Sequence, residues 1–183
     1  VMLHSAFSPH FGFTGSIEDL TRVFLDAVAP DGHLFMVSLP YRTSSLEYLG
    51  RLKQFDVRRT PSMMGLVSEY FRRRPDVVRS LHPTHSVTVI GPDAVRLTAG
   101  HLNQRVFGVG SPVDILAREG GKVLLLGIGQ TSNSTIHVAE EHAGMPKGPW
   151  PVGLPVVRIR KPDGTHLEHQ LDTSCSCSAA FEG

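Results

Sequence analysis

Residues 121–140 read GKVLLLGIGQTSNSTIHVAE, from Gly121 to Glu140. Within them, Lys122–Ile128 is the strongest strand signal in the chain, and its apolar run Val123–Ile128 predicts a strand buried on both faces. A glycine-containing turn follows, and Ser134–His142 is expected to be helical. In open α/β sheets, functional groups gather at the carboxyl ends of the strands. This strand, turn and helix therefore form the segment in which we look first for chemistry.

The predicted helix carries a histidine and a glutamate at a useful spacing. His137 and Glu140 are three residues apart, so a helix places them on one face. A carboxylate beside an imidazole fixes the tautomer of the ring and raises its basicity, which suits a general base acting on an amine or a hydroxyl. The alternative is a histidine on a surface helix that makes an incidental ion pair, because such pairs are common on helices.

Outside this segment, short apolar runs alternate with amphipathic stretches, a pattern that favours the α/β class. Ser16 and Asp19 have the spacing of a capping box at the start of a helix. A second helix is expected over Ser62–Arg74. Val156–Arg160 and Thr165–Leu171 flank a turn-forming Pro-Asp-Gly and predict a hairpin.

Composition bounds the class of protein. The chain has 183 residues, of which 40% are hydrophobic and 19% charged, and this length fits one domain over residues 1–183. With 18 Lys and Arg against 17 Asp and Glu, the net charge of +1 gives no reason to expect general binding to nucleic acid or anionic membranes. The apolar runs are too short to span a bilayer. No signal-peptide pattern is visible, which predicts a cytoplasmic protein.

Ten histidines make this residue type a second source of candidates. His4 and Ser5 end the first predicted strand and enter a loop rich in serine and glycine. Such a loop can offer backbone N–H groups to an anionic ligand, although an ordinary connecting loop has the same composition. His82 and His85 lie just before another strand, where a turn with polar caps is expected.

Three familiar kinds of site do not fit the sequence. A zinc site built from His166, His169, Cys175 and Cys177 would need a Cys-x-Cys pair tighter than the usual spacing, and the two histidines would face opposite sides of a strand. A serine hydrolase would need Gly-x-Ser-x-Gly, which is absent. A Rossmann dinucleotide site would need a third glycine where Ser132 stands. No metal site is therefore expected.

Six or more short motifs, in order along the chain, resemble those of one family. They are His4-Ser5, Asp31-Gly32-His33-Leu34-Phe35-Met36, Thr60-Pro61-Ser62-Met63-Met64-Gly65 with Glu69-Tyr70-Phe71-Arg72, Arg79-Ser80…His82-Pro83…Ser86, Gly110-Ser111-Pro112, Gly121–Gly127 and Asn133…His137…Glu140. Together they resemble the aminoglycoside 3-N-acetyltransferases. The resemblance implies an α/β fold with a mixed central sheet flanked by helices, and transfer of an acetyl group from acetyl-CoA to an amine of an aminoglycoside.

The resemblance also implies roles for individual residues. His137 would be the base that deprotonates the substrate amine, Glu140 would orient it, and His4 would lie across the site near the thioester. The coenzyme A groove would be lined by Ser5, Ser8, Ser62, Met64 and Gly65.

Some features depart from the family pattern or leave alternatives open. Ala6 replaces the second serine of the His-Ser-Ser loop, and His33 stands where threonine is usual. The acceptor could instead be a biosynthetic amine or an amino sugar, and a catalytically inactive relative that binds coenzyme A is a further possibility. A monomer or a homodimer is expected. Compared with the family, the chain resembles a piece cut at both ends.

Overall fold

The computed structural model describes residues 1–7, 12–145 and 155–171. Within these residues the strands are β1 (Met2–Ser5), β2 (Leu34–Val37), β3 (Phe55–Asp56), β4 (Val78–Arg79), β5 (Val87–Ile90), β6 (Val123–Leu126), β7 (Val156–Arg160) and β8 (His166–Gln170). The α-helices are α1 (Ile17–Val28), α2 (Ser45–Arg51), α3 (Leu66–Arg72), α4 (Ala94–Ala99), α5 (Pro112–Arg118) and α6 (Ile136–His142).

The strands form two sheets. The larger has the order β4-β5-β2-β1-β6, and it is mixed: β1 runs parallel to β2 and β6, whereas β5 is antiparallel to β2 and β4. The smaller sheet has the order β3-β7-β8 and contains the predicted hairpin. The mixed central sheet of the predicted α/β class is therefore confirmed, whereas the pairing of β3 with the hairpin is an addition that the sequence patterns did not indicate.

Alternation along the strands divides the core into two layers. Leu3 and Leu34 point to one face of the large sheet, where they pack with residues of α1 and α3 such as Phe71. Met2 and Phe35 point to the other face and pack with residues of α4, α5 and the smaller sheet. Because successive side chains of a strand alternate between faces, neighbouring residues of β1 and β2 serve different layers.

Strand β6 differs from its prediction. It spans Val123–Leu126 and lies at one end of the large sheet as the described residues form it, paired with β1. Val123 and Leu124 are 39% and 40% exposed, so the expected burial on both faces is wrong for this part of the chain. An apolar run indicates that a strand is compatible with burial, but whether the strand is buried depends on which elements cover it.

The first helix begins as predicted. The Ser16 hydroxyl accepts a hydrogen bond from the backbone N–H of Asp19, and the Asp19 carboxylate accepts one from the backbone N–H of Ser16. The two residues thus satisfy each other's backbone donors at the start of α1, which confirms the capping box.

A buried arginine joins the two sheets. Arg79, which is 6% exposed, donates hydrogen bonds to the carbonyl oxygens of Ser38 and Thr60 and to the hydroxyl of Ser86. Its guanidinium also lies 5.0 Å from the centre of the Phe55 ring in β3. Burial lowers the pKa of Arg79 to about 9, which keeps it charged at neutral pH. The arginine of the Arg-Ser-x-His-Pro motif therefore connects the large sheet to the smaller one.

Among the described residues, no helix is both long enough and apolar enough to cross a bilayer.

Candidate active site

A cavity of about 460 Å³ lies at the carboxyl ends of the parallel strands β1, β2 and β6. Its wall includes Met36 and Val37 of β2, and Ser132 and Ser134 from the segment after β6. This is the position at which α/β sheets place their ligand sites, because loops that leave neighbouring parallel strands diverge there.

Most of the residues predicted for the coenzyme A groove meet at this cavity. His4 and Ser5 line it from the end of β1, and Met64 and Gly65 line it from the turn before α3. Ser62 is buried behind that turn, and Ser8 lies outside the described residues. Two segments that are distant in the sequence therefore form one wall.

The turn before α3 is held from behind by a carboxylate. The predicted helix over Ser62–Arg74 in fact begins at Leu66, after a glycine whose φ is +105°. Glu69 accepts hydrogen bonds from the backbone N–H of Ser62 at 2.7 Å and from the side chain of Arg72 at 2.6 Å. Glu69 and Arg72 thus hold the loop before α3 against the start of that helix. This keeps Met64 and Gly65 at the cavity wall.

A substitution at Gly65 tests how much that turn depends on the backbone conformation of this glycine. Its backbone has a φ of +105° and a ψ of 174°. A residue with a Cβ adopts this conformation at a cost of about 1–3 kcal/mol. We expect Gly65→Ala to lower the free energy of unfolding by about that amount in urea titrations. The matched control is Gly50→Ala in α2, where an added Cβ meets nothing within 4 Å and should stabilise the helix by about 0.5–1 kcal/mol. Equal effects of the two substitutions would contradict this account of the turn.

His4 is a buried polar side chain of the cavity wall. It is 4% exposed, and its Nε2 atom has no hydrogen-bond partner within the described part of the chain. Burial lowers the pKa of the imidazole, so the ring is neutral at pH 7. A buried nitrogen without a partner costs about 1–3 kcal/mol, and a ligand atom that bonds to it would recover that cost.

His137 and Glu140 form the contact that their spacing predicts. Helix α6 begins at Ile136, which places both residues on its first two turns. The Nδ1 atom of His137 lies 2.6 Å from Oε2 of Glu140, and the two side chains are 22% and 26% exposed. A carboxylate acceptor at Nδ1 holds the proton on that nitrogen, and the lone pair is then on Nε2. The geometry therefore leaves the lone pair of His137 on Nε2, where it can accept a proton.

The loop that precedes α6 connects this pair to the cavity. Ser132 and Ser134 line the cavity, whereas His137 and Glu140 do not belong to its described wall. Between the two serines, the Asn133 side chain accepts a hydrogen bond from the backbone N–H of Thr135 and donates one to the Gln130 side chain. Asn133 thus orders the short segment that separates the cavity wall from His137.

A group of buried histidines lies next to His137, and the sequence patterns did not indicate it. We call His82, His85 and His101 the histidine cluster; they are 1–3% exposed. The turn expected at the first two forms over residues 83–85, where the backbone N–H of His85 donates to Nδ1 of His82, but it is buried. Burial is the largest cause that lowers the pKa of all three, to about 3 for His85 and to about 4 for His101. The three rings are neutral at physiological pH.

The ring nitrogens of His85 and His101 form hydrogen bonds with uncharged groups. His101 bonds through Nδ1 to the Ser80 hydroxyl and through Nε2 to the carbonyl oxygen of Val106. His85 bonds through Nε2 to the Tyr41 hydroxyl at 2.8 Å and through Nδ1 to Thr84 at 2.9 Å. Bonds of this kind need no charge on the rings, which agrees with their neutral state. In the sequence, the Ser80…His82…Ser86 motif was the feature from which this buried cluster could have been predicted.

No group of three or more His, Cys, Asp or Glu side chains within the described ranges is placed to hold a metal ion. Cys175 and Cys177, two members of the zinc set considered above, lie outside those ranges.

Comparison with known proteins decides the family. The family model described as aminoglycoside 3-N-acetyltransferase matches residues 2–182, which is nearly the whole chain. The chain belongs to the aminoglycoside 3-N-acetyltransferase family. The resemblance inferred from the short motifs is thereby confirmed.

Curated members of this family are longer than the chain. It is 31% identical over 162 residues to aminoglycoside N(3)-acetyltransferase III of Salmonella sp, a match that covers 82% of this chain and 57% of the relative. A match to aminoglycoside N(3)-acetyltransferase VII of Streptomyces paromomycinus is 42% identical over 82 residues and covers 45% of this chain and 28% of the relative. The chain thus spans a little over half of the length of the first of these relatives.

Solved structures of the family share the fold. The apoenzyme of aminoglycoside acetyltransferase AAC(3)-IVa is 26% identical with a TM-score of 0.68, over 93% of this chain and 62% of that one. A variant of the same enzyme in complex with a gentamicin is 29% identical with a TM-score of 0.66, over 93% and 61% of the two chains. The α/β architecture described above is therefore that of the aminoglycoside 3-N-acetyltransferases.

Proposed function

We propose that this chain, as one acetyltransferase domain over residues 1–183, transfers an acetyl group from acetyl-CoA to an amine of an aminoglycoside. The observation that carries the proposal is the 2.6 Å contact between His137 and Glu140 on the helix that follows a cavity-lining loop. Its relatives are named for acetylation at N3, and the same position is proposed here. The proposed site of action is the cytoplasm, with the chain as a monomer or a homodimer.

The proposed reaction needs a base because amines of this kind are largely protonated at neutral pH. His137 would take a proton from the amine through Nε2, while Glu140 holds Nδ1–H and stabilises the imidazolium that forms. The amine nitrogen then attacks the thioester carbonyl carbon, a C–N bond forms and the C–S bond breaks. The nitrogen gives up a second proton as the amide forms; one of the two protons passes to the departing thiolate and the other to solvent, so His137 is regenerated and no covalent enzyme intermediate is required.

The cavity supplies what an acyl thioester needs. Its wall combines the apolar surfaces of Met36 and Met64 with the hydroxyl groups of Ser5 and Ser132, which suits a long, mostly uncharged arm. The unpartnered Nε2 of His4 is available to hydrogen-bond the thioester carbonyl oxygen. Negative charge develops on that oxygen during attack, and a donor already in place stabilises it.

The acceptor class follows from the relatives. Structures of the neighbour that is 29% identical to this chain hold a gentamicin in one case and apramycin in another. We therefore propose an aminoglycoside as the acceptor and take gentamicin as the first compound to assay. If free amino sugars or biosynthetic amines are acetylated faster than gentamicin, the acceptor assignment is wrong, whereas the proposed transfer chemistry still holds.

The role of His4 can be measured by binding alone. Isothermal titration should show that the wild type binds acetyl-CoA about 5- to 10-fold more tightly than S-ethyl-coenzyme A, a thioether without the carbonyl oxygen, because one hydrogen bond contributes about 1 kcal/mol. His4→Phe should bind the two with equal affinity. The control is His166→Phe on an exposed position of β8, which should keep the wild-type preference. A preference that survives in His4→Phe would remove His4 from the carbonyl site.

A further inference from the structure

The ring of Phe107 packs against the ring of His137. Phe107 lies in the segment between His101–Asn103 and α5, and it is 5% exposed. Its ring centre is 5.1 Å from that of His137, with 38° between the planes, so the two rings are in tilted contact. The ring of the proposed base is therefore contacted by a buried aromatic side chain that does not belong to its own helix.

Glu140 alone does not fix the plane of the His137 ring. The hydrogen bond at Nδ1 restrains one edge of the ring, and the imidazole can still tilt about the line through that bond. A second contact on the face of the ring is needed to fix the direction in which Nε2 points. Phe107 is the aromatic side chain that makes this contact.

Phe107 is itself held by the histidine cluster. The His85 ring meets it edge to face at 5.9 Å and 77°. His85 is bonded at one nitrogen to Tyr41 and at the other to Thr84, so it cannot turn without breaking one of these hydrogen bonds. A chain of contacting groups therefore runs from Tyr41 through His85 and Phe107 to His137.

We infer that Phe107, held by His85, is a positioning residue that sets the orientation of the His137 imidazole. This inference rests on the proposed function in one respect, because the consequence of a misplaced ring is seen in turnover. The orientation itself is a property of the folded chain and can be observed without any substrate. Small displacements matter, since an error of about 1 Å in a reacting group can cost about 100-fold in rate.

Two substitutions remove the ring and keep an apolar side chain of similar size. Phe107→Leu and Phe107→Met should lower kcat by roughly 10- to 100-fold, with the KM for acetyl-CoA and for gentamicin within about twofold of wild type. Phe107→Trp, which restores an aromatic face, should recover part of the lost kcat. Leu97→Ala is the control, because Leu97 lies in the same core and is just as buried. A comparable loss of kcat in Leu97→Ala would overturn the inference.

The second measurement separates this inference from the proposed function. Carbon relaxation of the His137 ring by NMR should report a rigid side chain in the wild type and a mobile one in Phe107→Leu, with Leu97→Ala like the wild type. If the wild type shows no turnover, the proposed function fails and the relaxation data still decide the positioning role. A His137 ring that is equally rigid in the wild type and in Phe107→Leu, or an unchanged kcat in both ring-removing variants, would overturn the inference.

Discussion

The variant His137→Ala is expected to lose acetyl transfer by a factor of about 10²–10⁴ in kcat, the usual contribution of a positioned general base. Its affinity for acetyl-CoA should stay within about threefold of wild type, because His137 does not belong to the described wall of the cavity. Turnover is followed by thiol release, and affinity by isothermal titration. The expected pattern is thus a loss in the chemical step with binding retained.

His142→Gln is the matched control for this prediction. His142 lies on the same helix and bonds to the buried carboxylate of Asp114 at 2.7 Å, a contact that the glutamine amide can also make. Its kcat should equal that of the wild type. A fall of less than about fivefold in His137→Ala would show that another group is the base. Loss of acetyl-CoA binding in His137→Ala would show instead that His137 supports the fold of the site.

Glu140→Gln examines the orienting half of the pair. The amide oxygen of glutamine can accept the Nδ1–H hydrogen bond, but it brings no negative charge to balance the imidazolium. The expected kcat therefore lies between those of the wild type and of His137→Ala. A wild-type kcat in this variant would mean that Glu140 orients the ring without contributing electrostatically.

Acid is expected to unfold the protein through the histidine cluster. The pKa values of His82, His85 and His101 are lowered in the fold, whereas an unfolded histidine titrates near 6.5. Between that pH and about 4 the unfolded chain binds more protons than the native chain, so stability is complete above pH 6.5 and falls as the pH falls. At pH 5 this linkage costs about 2 kcal/mol for each of His85 and His101, hence ~4 kcal/mol for the two, and His82 adds to the loss, against a usual total of about 5–15 kcal/mol.

Urea titrations between pH 7 and pH 5 measure this loss, in a range above that in which most carboxylates titrate. His82→Asn should reduce the slope, because the asparagine oxygen can accept the hydrogen bond that His82 Nδ1 accepts from the backbone N–H of His85 but cannot take up a proton. The exposed His166→Gln should leave the slope unchanged. A pH-independent stability in this range would show that the three rings are hydrated or already charged in the native state.

Local features of the fold could be predicted from the sequence. The capping box of α1 needs two side chains and two backbone N–H groups within four residues, and it forms as expected. The His137 and Glu140 contact is equally local, because a helix sets the separation of residues three apart. Their catalytic role stays a prediction, since geometry within one helix is shared by structural ion pairs.

Features that depend on packing between distant segments could not be predicted. The exposure of β6 is set by its position in the sheet, which no pattern within the strand records. The histidine cluster and Phe107 depend on contacts among segments near residues 41, 82–85, 101–107 and 137, and each segment taken alone has no periodic signal. The start of α3 was missed for a simpler reason: the backbone conformation of Gly65 ends the preceding turn, and only then can the helix begin.

The central claim is that the cavity and the His137 pair together transfer acetyl from acetyl-CoA to an aminoglycoside amine. The most direct test is thiol release from acetyl-CoA by the wild-type chain, measured with and without gentamicin, with the product identified by mass spectrometry. We predict thiol release that depends on the acceptor, with one acetyl group added to the drug for each thiol formed. Thiol release at the same rate without the acceptor, or no release in its presence, would contradict the claim.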